Sequence, residues 1–486
     1  MINTFSRRDF LVIGSAMAWA GCTPSLFSSP LQSQEEQDDL KAFVTVSKRD
    51  PRYFELSNGR PYIPIGLNMV YDPDTRDDDL LLLERDWFRK FKENRINFVR
   101  IWLSGNMFEI ETGRSGNIDA NRVRRLDKLF ALARQYGVRL KLCTEHFRHL
   151  GEGNQPWAAR TMYLKENGGP AEHTEDFFTG EAGRAHYQKK LRCYADRYGS
   201  DPIVFGWELW NEMDAVNKSG AFWIPWTTEM LAELRRLFPK NLVMQSLGSF
   251  DHTDKKRRYE TLCRMPDNDV LQVHRYLDLG AQWDICHASM AELSSQAVRE
   301  LLSHGIMKPT LLAESGAVEP GHSGPFKLYQ RDKAGIILHD VLFAPFFSGA
   351  AGAGHCWHWD QYIQRNNLWH LFDRFASAVE GIDPAAEQFE PFEPEHDRLF
   401  LYGLKGKTKS MMWCRDKKNT WKTELEEGMP PEELADVEIK LPETRFPLPK
   451  SEMKIYDPWT NRRQTIPAGG STITLPSFSR SLVVIF

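Results

Sequence analysis

The sequence predicts an α/β fold: a (β/α)8 barrel over residues 44–381, followed by a small antiparallel β-sandwich over residues 382–486. Three observations carry the prediction. Short apolar runs recur eight times from Tyr62 onward, they alternate with amphipathic stretches of helical length, and both patterns stop beyond Gly381. Near-continuous apolar strands separated by helices mark parallel βα units buried on both faces, and eight repeats over about 300 residues suit a closed barrel. A doubly wound open sheet would carry a glycine-rich phosphate turn after its first strand. The first run leads instead into Met69-Val70-Tyr71-Asp72-Pro73.

Taken in chain order, residues 1–21 read as an address. Ser6-Arg7-Arg8-Asp9-Phe10-Leu11 precedes the apolar stretch Val12–Ala20, the order of a bacterial export signal, and it resembles the twin-arginine type. The stretch ends in Ala20-Gly21-Cys22, which resembles a lipoprotein cleavage site with Cys22 as the lipidated residue. Residues 22–43 read as a tether, in which Ser28–Asp39 is expected to have too little apolar content to fold. The expected location is the cell envelope or periplasm, with the membrane reached only through that anchor.

Within the barrel, Val44–Val46 and Tyr53–Leu56 with Ser57-Asn58-Gly59 predict a hairpin before the first barrel strand. The eight runs are Ile63–Leu67, Asn97–Leu103, Val138–Cys143, Ile203–Trp210, Leu242–Ser246, Val270–Val273, Thr310–Ala313 and Phe346–Trp357. Helices are predicted over Leu80–Asn94, Asn121–Tyr136, Ala182–Tyr198, Trp226–Leu237, Met290–His304 and Lys327–Leu342, with Gly137 and Gly199 as stops. The acidic stretch Glu387–Glu395, with Pro391 and Pro394, reads as a linker. The alternating runs Arg398–Leu404, Ser410–Cys414, Val437–Leu441, Met453–Tyr456 and Ser481–Phe486 read as the strands of the sandwich.

Composition excludes several functions. A formal charge of −4 without a basic block removes the driving force for nucleic-acid binding. No apolar run reaches the ~20 residues that span a bilayer. Cys143, Cys193, Cys263, Cys286, Cys356 and Cys414 are scattered and form no Cys-x-x-Cys pair, which argues against a zinc site or a disulfide framework. Aromatic residues make up 12% of a chain whose mean hydropathy is −0.49, which fits large-ring packing or a sugar-stacking cleft.

In a parallel barrel the loops after the strands build the active face. The fourth run reads Trp207-Glu208-Leu209-Trp210-Asn211-Glu212 and the seventh Thr310-Leu311-Leu312-Ala313-Glu314-Ser315-Gly316. Each places a Glu where an apolar strand is expected to give way to a loop. A single such Glu is more often a structural carboxylate, but two at opposed strand ends match a nucleophile and an acid about 5 Å apart across a glycosidic bond. Glu208 ranks behind Glu212 for the acid role, being inside the apolar run and expected to bond with barrel neighbours.

These two segments resemble the strand-four and strand-seven signatures of clan A retaining glycoside hydrolases, most closely glycoside hydrolase family 5 and the cellulase and mannanase types around it. The resemblance covers roughly Tyr62 to Gly381. It implies Glu212 as acid/base, Glu314 as nucleophile, Arg100 as the residue that orients the nucleophile, and Asn211 as the partner of the sugar 2-hydroxyl. It implies a His-x-Tyr pair in His274 and Tyr276, and an aromatic platform at Trp357 or Trp359. It also implies a β-linked glycan as partner, with mannan preferred to glucan on likeness alone, and no cofactor or metal.

The residues themselves add to this. Alternation is expected to put Thr310, Leu312 and Glu314 on one strand face, and His274 with Tyr276 on another. A guanidinium and a phenol beside Glu314 would keep it ionised, whereas a desolvated Glu212 would hold its proton. His146 is read as a hydrogen-bond donor to substrate. Trp157, Trp223, Trp226 and Trp283 are either local core or sugar platforms, and the stretches Met213–Pro225 and Asp278–Ser289 could wall the cleft. Two rival readings remain: a glycan-binding lipoprotein without activity, and a metal-dependent hydrolase using Glu145, His146, His149, His355, His358 and Asp360.

Overall fold

The computed structural model describes residues 33–69, 80–146, 162–216, 220–441, 452–467 and 472–486. The predicted export signal, Cys22, His149 and Trp157 lie outside them. No helix among the described residues is long and apolar enough to cross a membrane.

Part of the predicted tether is folded, as a helix at Gln34–Leu40 capped by Ser33 and tied to the barrel by Glu36 and Lys92 at 3.0 Å. Strands β1 (Val44–Val46), β2 (Phe54–Leu56) and β3 (Pro61–Tyr62) follow, an antiparallel sheet whose turn falls at Gly59, φ +89°. Phe54, Tyr62 and Phe98 surround the ring of Phe205, at 5.2, 6.1 and 5.0 Å between centroids. This cluster plugs the end of the barrel at which its strands begin. Five parallel strands follow side by side: β4 (Gly66–Asn68), β5 (Phe98–Trp102), β6 (Arg139–Glu145), β7 (Val204–Trp210) and β8 (Leu242–Met244). A parallel pair, β9 (Leu271–Asp278) and β10 (Thr310–Val318), continues the wall.

Backbone hydrogen bonds close the ring. Asp269 N–H donates to Val243 O at 3.0 Å, joining the fifth position to the sixth. Residues 350–357 occupy the eighth position. Ala351 N–H donates to Thr310 O at 2.9 Å and His355 N–H to Leu312 O at 2.9 Å on one side; Ala353 N–H donates to Pro64 O and Asn68 N–H to Cys356 O, both at 3.1 Å, on the other. The result is a (β/α)8 barrel, with β4 to β10 as its first seven strands.

The predicted helices form with small shifts, as in Ala120–Tyr136, Glu181–Tyr198, Gly220–Leu237 and Met290–Leu302. Two short ones that were not predicted, Lys256–Cys263 and His370–Ala378, complete the set. The seventh departs most from expectation. The stretch predicted as Lys327–Leu342 is a 3-10 turn at Lys327–Gln330 and then a helix at Ile336–Phe347, so Phe346 and Phe347 end a helix instead of starting a strand. All its residues are buried, because barrel and C-terminal sheet cover it on opposite sides. An apolar stripe cannot show where every face is apolar.

The C-terminal part is built on six antiparallel strands in the order β11-β12-β13-β20-β16-β17: β11 (Glu390–Phe392), β12 (Leu399–Lys405), β13 (Met411–Asp416), β16 (Glu452–Asp457), β17 (Arg462–Pro467) and β20 (Ser481–Ile485). The stretch read as a linker thus supplies the edge strand β11, where Pro391 is tolerated because an edge has a side without ladder bonds. Two small pairs, β14 (Glu433–Leu434) with β19 (Phe478–Ser479) and β15 (Glu438–Lys440) with β18 (Thr472–Thr474), pack on one face over Leu401, Met412, Ile455 and Val484. The opposite face sets Trp413 against Phe343 and His339 of the seventh helix, at 5.9 and 5.7 Å between rings. There Arg415 Nε donates to Asp340 Oδ1 at 2.8 Å with both side chains buried. The six cysteines named above are free thiols.

Candidate active site

The ends of the barrel strands bring Arg100, Asn211, Glu212, His274, Tyr276 and Glu314 together. Arg100, on β5, is fully buried and holds four partners at once. Its Nε and Nη2 donate to Glu208 Oε2 and Oε1 at 2.8 and 2.9 Å, Nη2 donates to Asn211 Oδ1 at 2.6 Å, and Nη1 donates to Asn68 Oδ1 at 3.1 Å and to Glu314 Oε1. The other oxygen of Glu314 accepts the Tyr276 hydroxyl at 2.9 Å. Both oxygens of this almost wholly buried carboxylate are thus held by fixed donors, one charged and one polar.

Glu314 reaches this position through a β-bulge. Leu312 pairs with Val273 and Glu314 with His274, so Ala313 is skipped. Partners in a parallel ladder share a face, hence Leu312 takes the outer face with Val273 while Glu314 takes the inner one with His274. The expected common face of Thr310, Leu312 and Glu314 is therefore corrected: the bulge flips the glutamate inward. Nor is Glu314 at a strand end, since β10 continues to Val318. Asn68 locks the bulge by donating from Nδ2 to Ala313 O at 2.9 Å.

Glu212 is placed by a turn. Its φ of +52° lies in the left-handed region, uncommon outside glycine, and ends the line of β7 so that the side chain swings over the cleft. Ser246 holds the turn: Glu212 N–H donates to its hydroxyl at 3.2 Å and Met213 N–H to its carbonyl at 3.3 Å. Burial, reinforced by the negative charge of nearby Asp214, pushes the Glu212 carboxyl up to about 7. Its close neighbour is no cation. His274 Nδ1 stands 2.9 Å from Glu212 Oε1 and 3.4 Å from Glu314 Oε2, and burial pulls this imidazole down to about 4, so it is neutral at pH 7. One oxygen of each glutamate and a ring nitrogen of His274 lie within 4.8 Å of one another.

Glu208 takes the interior role its position suggested. Burial opposes its ionisation, yet Arg100 and Lys141 outweigh burial and hold the carboxyl well below the usual range. It cannot serve as a proton donor near neutral pH.

Above the carboxylates lies a cavity of about 340 Å³, a volume in the range of small-molecule sites. Trp102, Trp357 and Trp359 supply its aromatic surface, with centroids 5.1 Å apart for Trp102 and Trp357 and 5.9 Å for Trp357 and Trp359. Both strand-eight rings therefore border it, and Trp357 is the more exposed. Trp102 was missed in the sequence, although its place two residues after Arg100 on one strand was the available signal. Asn211 Nδ2 has no partner among the described residues. The remaining wall comes from Val318 at the end of β10, from His322, Gly324 and Pro325 after it, and from His358 to Gln361 after the eighth strand.

Other expectations shift. Asp278–Ser289 does not border the cavity: Trp283 packs on Phe250 and stacks with the Arg275 guanidinium at 4.6 Å. Trp223 and Trp226 are buried, the latter among Phe178, Tyr187 and Trp210, so both are core. His146 is buried behind Trp102, its ring stacked at 4.8 Å and its Nδ1 2.6 Å from the Ser104 hydroxyl. His355 stacks on Phe98 deep in the barrel at 4.4 Å. Among the described residues, the metal reading's His146, His355, His358 and Asp360 do not converge. Glu212, His274 and Glu314 do, but Arg100 and Tyr276 already occupy Glu314, and a guanidinium beside it disfavours a second cation.

No protein-family model matches the chain. Over 336 residues it is 24% identical to mannan endo-1,4-beta-mannosidase 7 of Arabidopsis thaliana, spanning 61% of this chain and 74% of that protein. Over 345 residues it is 23% identical to mannan endo-1,4-beta-mannosidase 1 of Oryza sativa subsp. japonica, spanning 61% and 73%. The chain is a glycoside hydrolase, similar to these mannan endo-1,4-beta-mannosidases. The fold of this hydrolase is similar to that of a putative glycoside hydrolase from Bacteroides vulgatus, with a TM-score of 0.57 at 12% identity over 92% of this chain and 82% of that one. It is similar also to the endo-beta-1,4-mannanase from Thermotoga petrophila, with a TM-score of 0.50 at 17% identity over 87% and 98%.

Proposed function

We propose that this hydrolase cleaves β-mannan by a two-step retaining mechanism, with Glu314 as nucleophile and Glu212 as acid/base. The observation that carries the reading is the closeness of the two glutamates, whose nearest oxygens fall within 4.8 Å. Retaining enzymes use carboxyl groups about 5 to 5.5 Å apart, whereas inverting ones leave 6.5 Å or more for a water. In the first step Glu314 attacks the anomeric carbon while Glu212 gives its proton to the departing glycosidic oxygen. In the second, Glu212 takes a proton from water, the water attacks the same carbon, and the bond to Glu314 breaks. Arg100 and Tyr276 hold the nucleophile, Asn211 presents its free Nδ2 to the 2-hydroxyl, and Trp357 with Trp102 and Trp359 offers apolar faces to the ring. The choice of mannan rests on the names of the relatives.

Proton NMR of the first products of β-mannan hydrolysis tests the mechanism. The β anomer is expected first, and appearance of the α anomer overturns the two-step route. Parallel digestion of mannan, glucan, xylan and galactan tests the substrate. A ladder of manno-oligosaccharides indicates internal cleavage and a single small product indicates action at a chain end; release from glucan, xylan or galactan alone overturns the mannan reading.

Export and anchoring complete the proposal. Ser6 to Leu11 and Ala20-Gly21-Cys22 support a lipoprotein delivered to the cell envelope through the twin-arginine route. Mass spectrometry of the mature N-terminus should find an acylated Cys22, and Cys22→Ala should move the protein from the membrane fraction to the soluble one. An unmodified N-terminus at another residue overturns the anchor.

A further inference from the structure

The middle of the barrel holds more charge than the reaction uses. On one row of the parallel ladder Asn68 pairs with Arg100 and Arg100 with Lys141, so two cations stand side by side on neighbouring strands, both fully buried. The next ladder position along that row is Gly206, where a Cβ would meet the Met244 side chain at 2.5 Å. Glu208 answers both cations: its Oε2 lies 2.8 Å from Arg100 Nε and 3.0 Å from Lys141 Nζ. Lys141 also donates to Gln272 Oε1, and Gln272 Nε2 donates onward to Gln245 O at 3.1 Å. Burial pulls Lys141 down to about 8 against the upward pull of Glu208, so it carries its proton at pH 7.

A buried charge array of this kind is costly, and apolar side chains of similar volume would often serve stability as well. Its arithmetic is informative. Arg100, Lys141, Glu208 and Glu314 carry two formal charges of each sign, and Lys141 does not line the cavity. Without Lys141, Glu208 would have Arg100 as its sole cation, and the guanidinium would be drawn onto Glu208 at the expense of Glu314. We propose that Lys141 is a positioning residue: by sharing Glu208 it leaves the outer edge of Arg100 committed to Glu314 and Asn211. Lys141 touches neither substrate nor reacting atoms. The proposal rests on Glu314 as nucleophile.

The other titratable groups beside Glu314 are Glu212 from the turn after β7 and His274 and Tyr276 from β9. The neutral state of His274 and the un-ionised state of Tyr276 leave Arg100 and Lys141 as the fixed positive charges of the cluster.

The test is the pH profile of kcat/KM for Lys141→Met, Glu208→Gln and the double variant, with Glu314→Gln as control. Lys141→Met is expected to raise the acidic-limb pKa by about one unit or more and to lower kcat at least about tenfold, with KM within about twofold. Glu208→Gln moves that limb the opposite way. The double variant, which removes one charge of each sign, brings the limb back to its original position. A 13C NMR titration of the Glu314 carboxyl in the full chain should follow the same order, whether or not turnover is seen. Loss of thermal stability in Lys141→Met with an unmoved limb overturns the proposal, as does a double variant no closer to wild type than the single one. Should Lys141→Met fail to fold, an unmoved limb in Glu208→Gln overturns it. A Glu314→Gln protein with full activity would instead overturn the assignment of the nucleophile, and the carboxyl titration would still judge Lys141.

Discussion

Glu314 pairs with His274 across the β9–β10 ladder, and Ala313 beside it has no ladder partner. The unpaired carbonyl of Ala313 is held by the Asn68 side chain, which is buried and also accepts from Arg100. One amide thus fixes both the bulge that turns the glutamate inward and the guanidinium that holds it.

Asn68→Ala leaves the Ala313 carbonyl and one guanidinium nitrogen short of a partner in a buried place. Loss of about 1 to 3 kcal/mol of stability is expected from the unsatisfied group, read by urea unfolding. The larger effect is expected on kcat, a fall of about 10- to 100-fold with little change in KM, since the error lies in the aim of the nucleophile.

Glu212 sets the basic limb of the pH profile. It must be protonated to act as the acid, so kcat/KM on an unactivated mannan should fall as pH rises through about 7. Glu212→Gln should abolish that limb and most of the activity, while the first step on a substrate with a good leaving group, which needs no proton, survives.

The same proton affects stability. The folded value of about 7 lies above the ordinary 4.5, so between these values the folded chain keeps a proton that the unfolded chain releases. The stabilisation from this group is complete below about pH 4.5 and is lost as pH rises through 7. Glu212→Gln should therefore gain on wild type in thermal stability as pH is raised from 5 to 8; an unchanged difference would contradict the buried environment described for this carboxyl.

Trp357→Ala should raise KM on oligosaccharides about five- to tenfold, the loss of roughly 1 kcal/mol of ring contact, and leave the pH profile in place. Trp102→Ala should cost more than this. That ring also carries the stack on His146 and lies 5.9 Å from the Arg100 guanidinium, so kcat is expected to fall with it.

Between barrel and sandwich, Asp340→Ala strands a buried Arg415. Breaking such a pair from one side costs about 3 to 5 kcal/mol, and replacing both partners by Leu and Met costs much less. Urea unfolding of the single and double variants measures the difference, and equal losses would deny the pair its interfacial role.

Much of this was legible in the sequence because some signals are local. Eight apolar runs state a parallel barrel, since a strand covered on both faces has no polar side to show. Glu212 and Glu314 were legible because a charged residue next to such a run is expensive unless it has work or a partner. Arg100, Asn211, His274 and Tyr276 came with the family resemblance. The seventh helix did not, because its burial between two layers erased the period that marks a helix. Trp102 was hidden as a strand residue of ordinary type, whereas Lys141, a charged residue inside the apolar run Val138–Cys143, carried the same signal as the glutamates and was passed over.

What the sequence by itself determined is the order of strands and helices and the residue types able to do acid, base and nucleophile chemistry. Only the tertiary structure decided which face Glu314 takes, because a bulge is set by the neighbouring strand and by Asn68, far away in the chain. It alone decided which glutamate on β7 and its turn keeps a proton. Glu208 and Glu212 are four residues apart, but Arg100 and Lys141 surround one, while burial and Asp214 surround the other. Proton affinity follows the charges and solvent within a few ångströms, and those neighbours exist only once the barrel has closed.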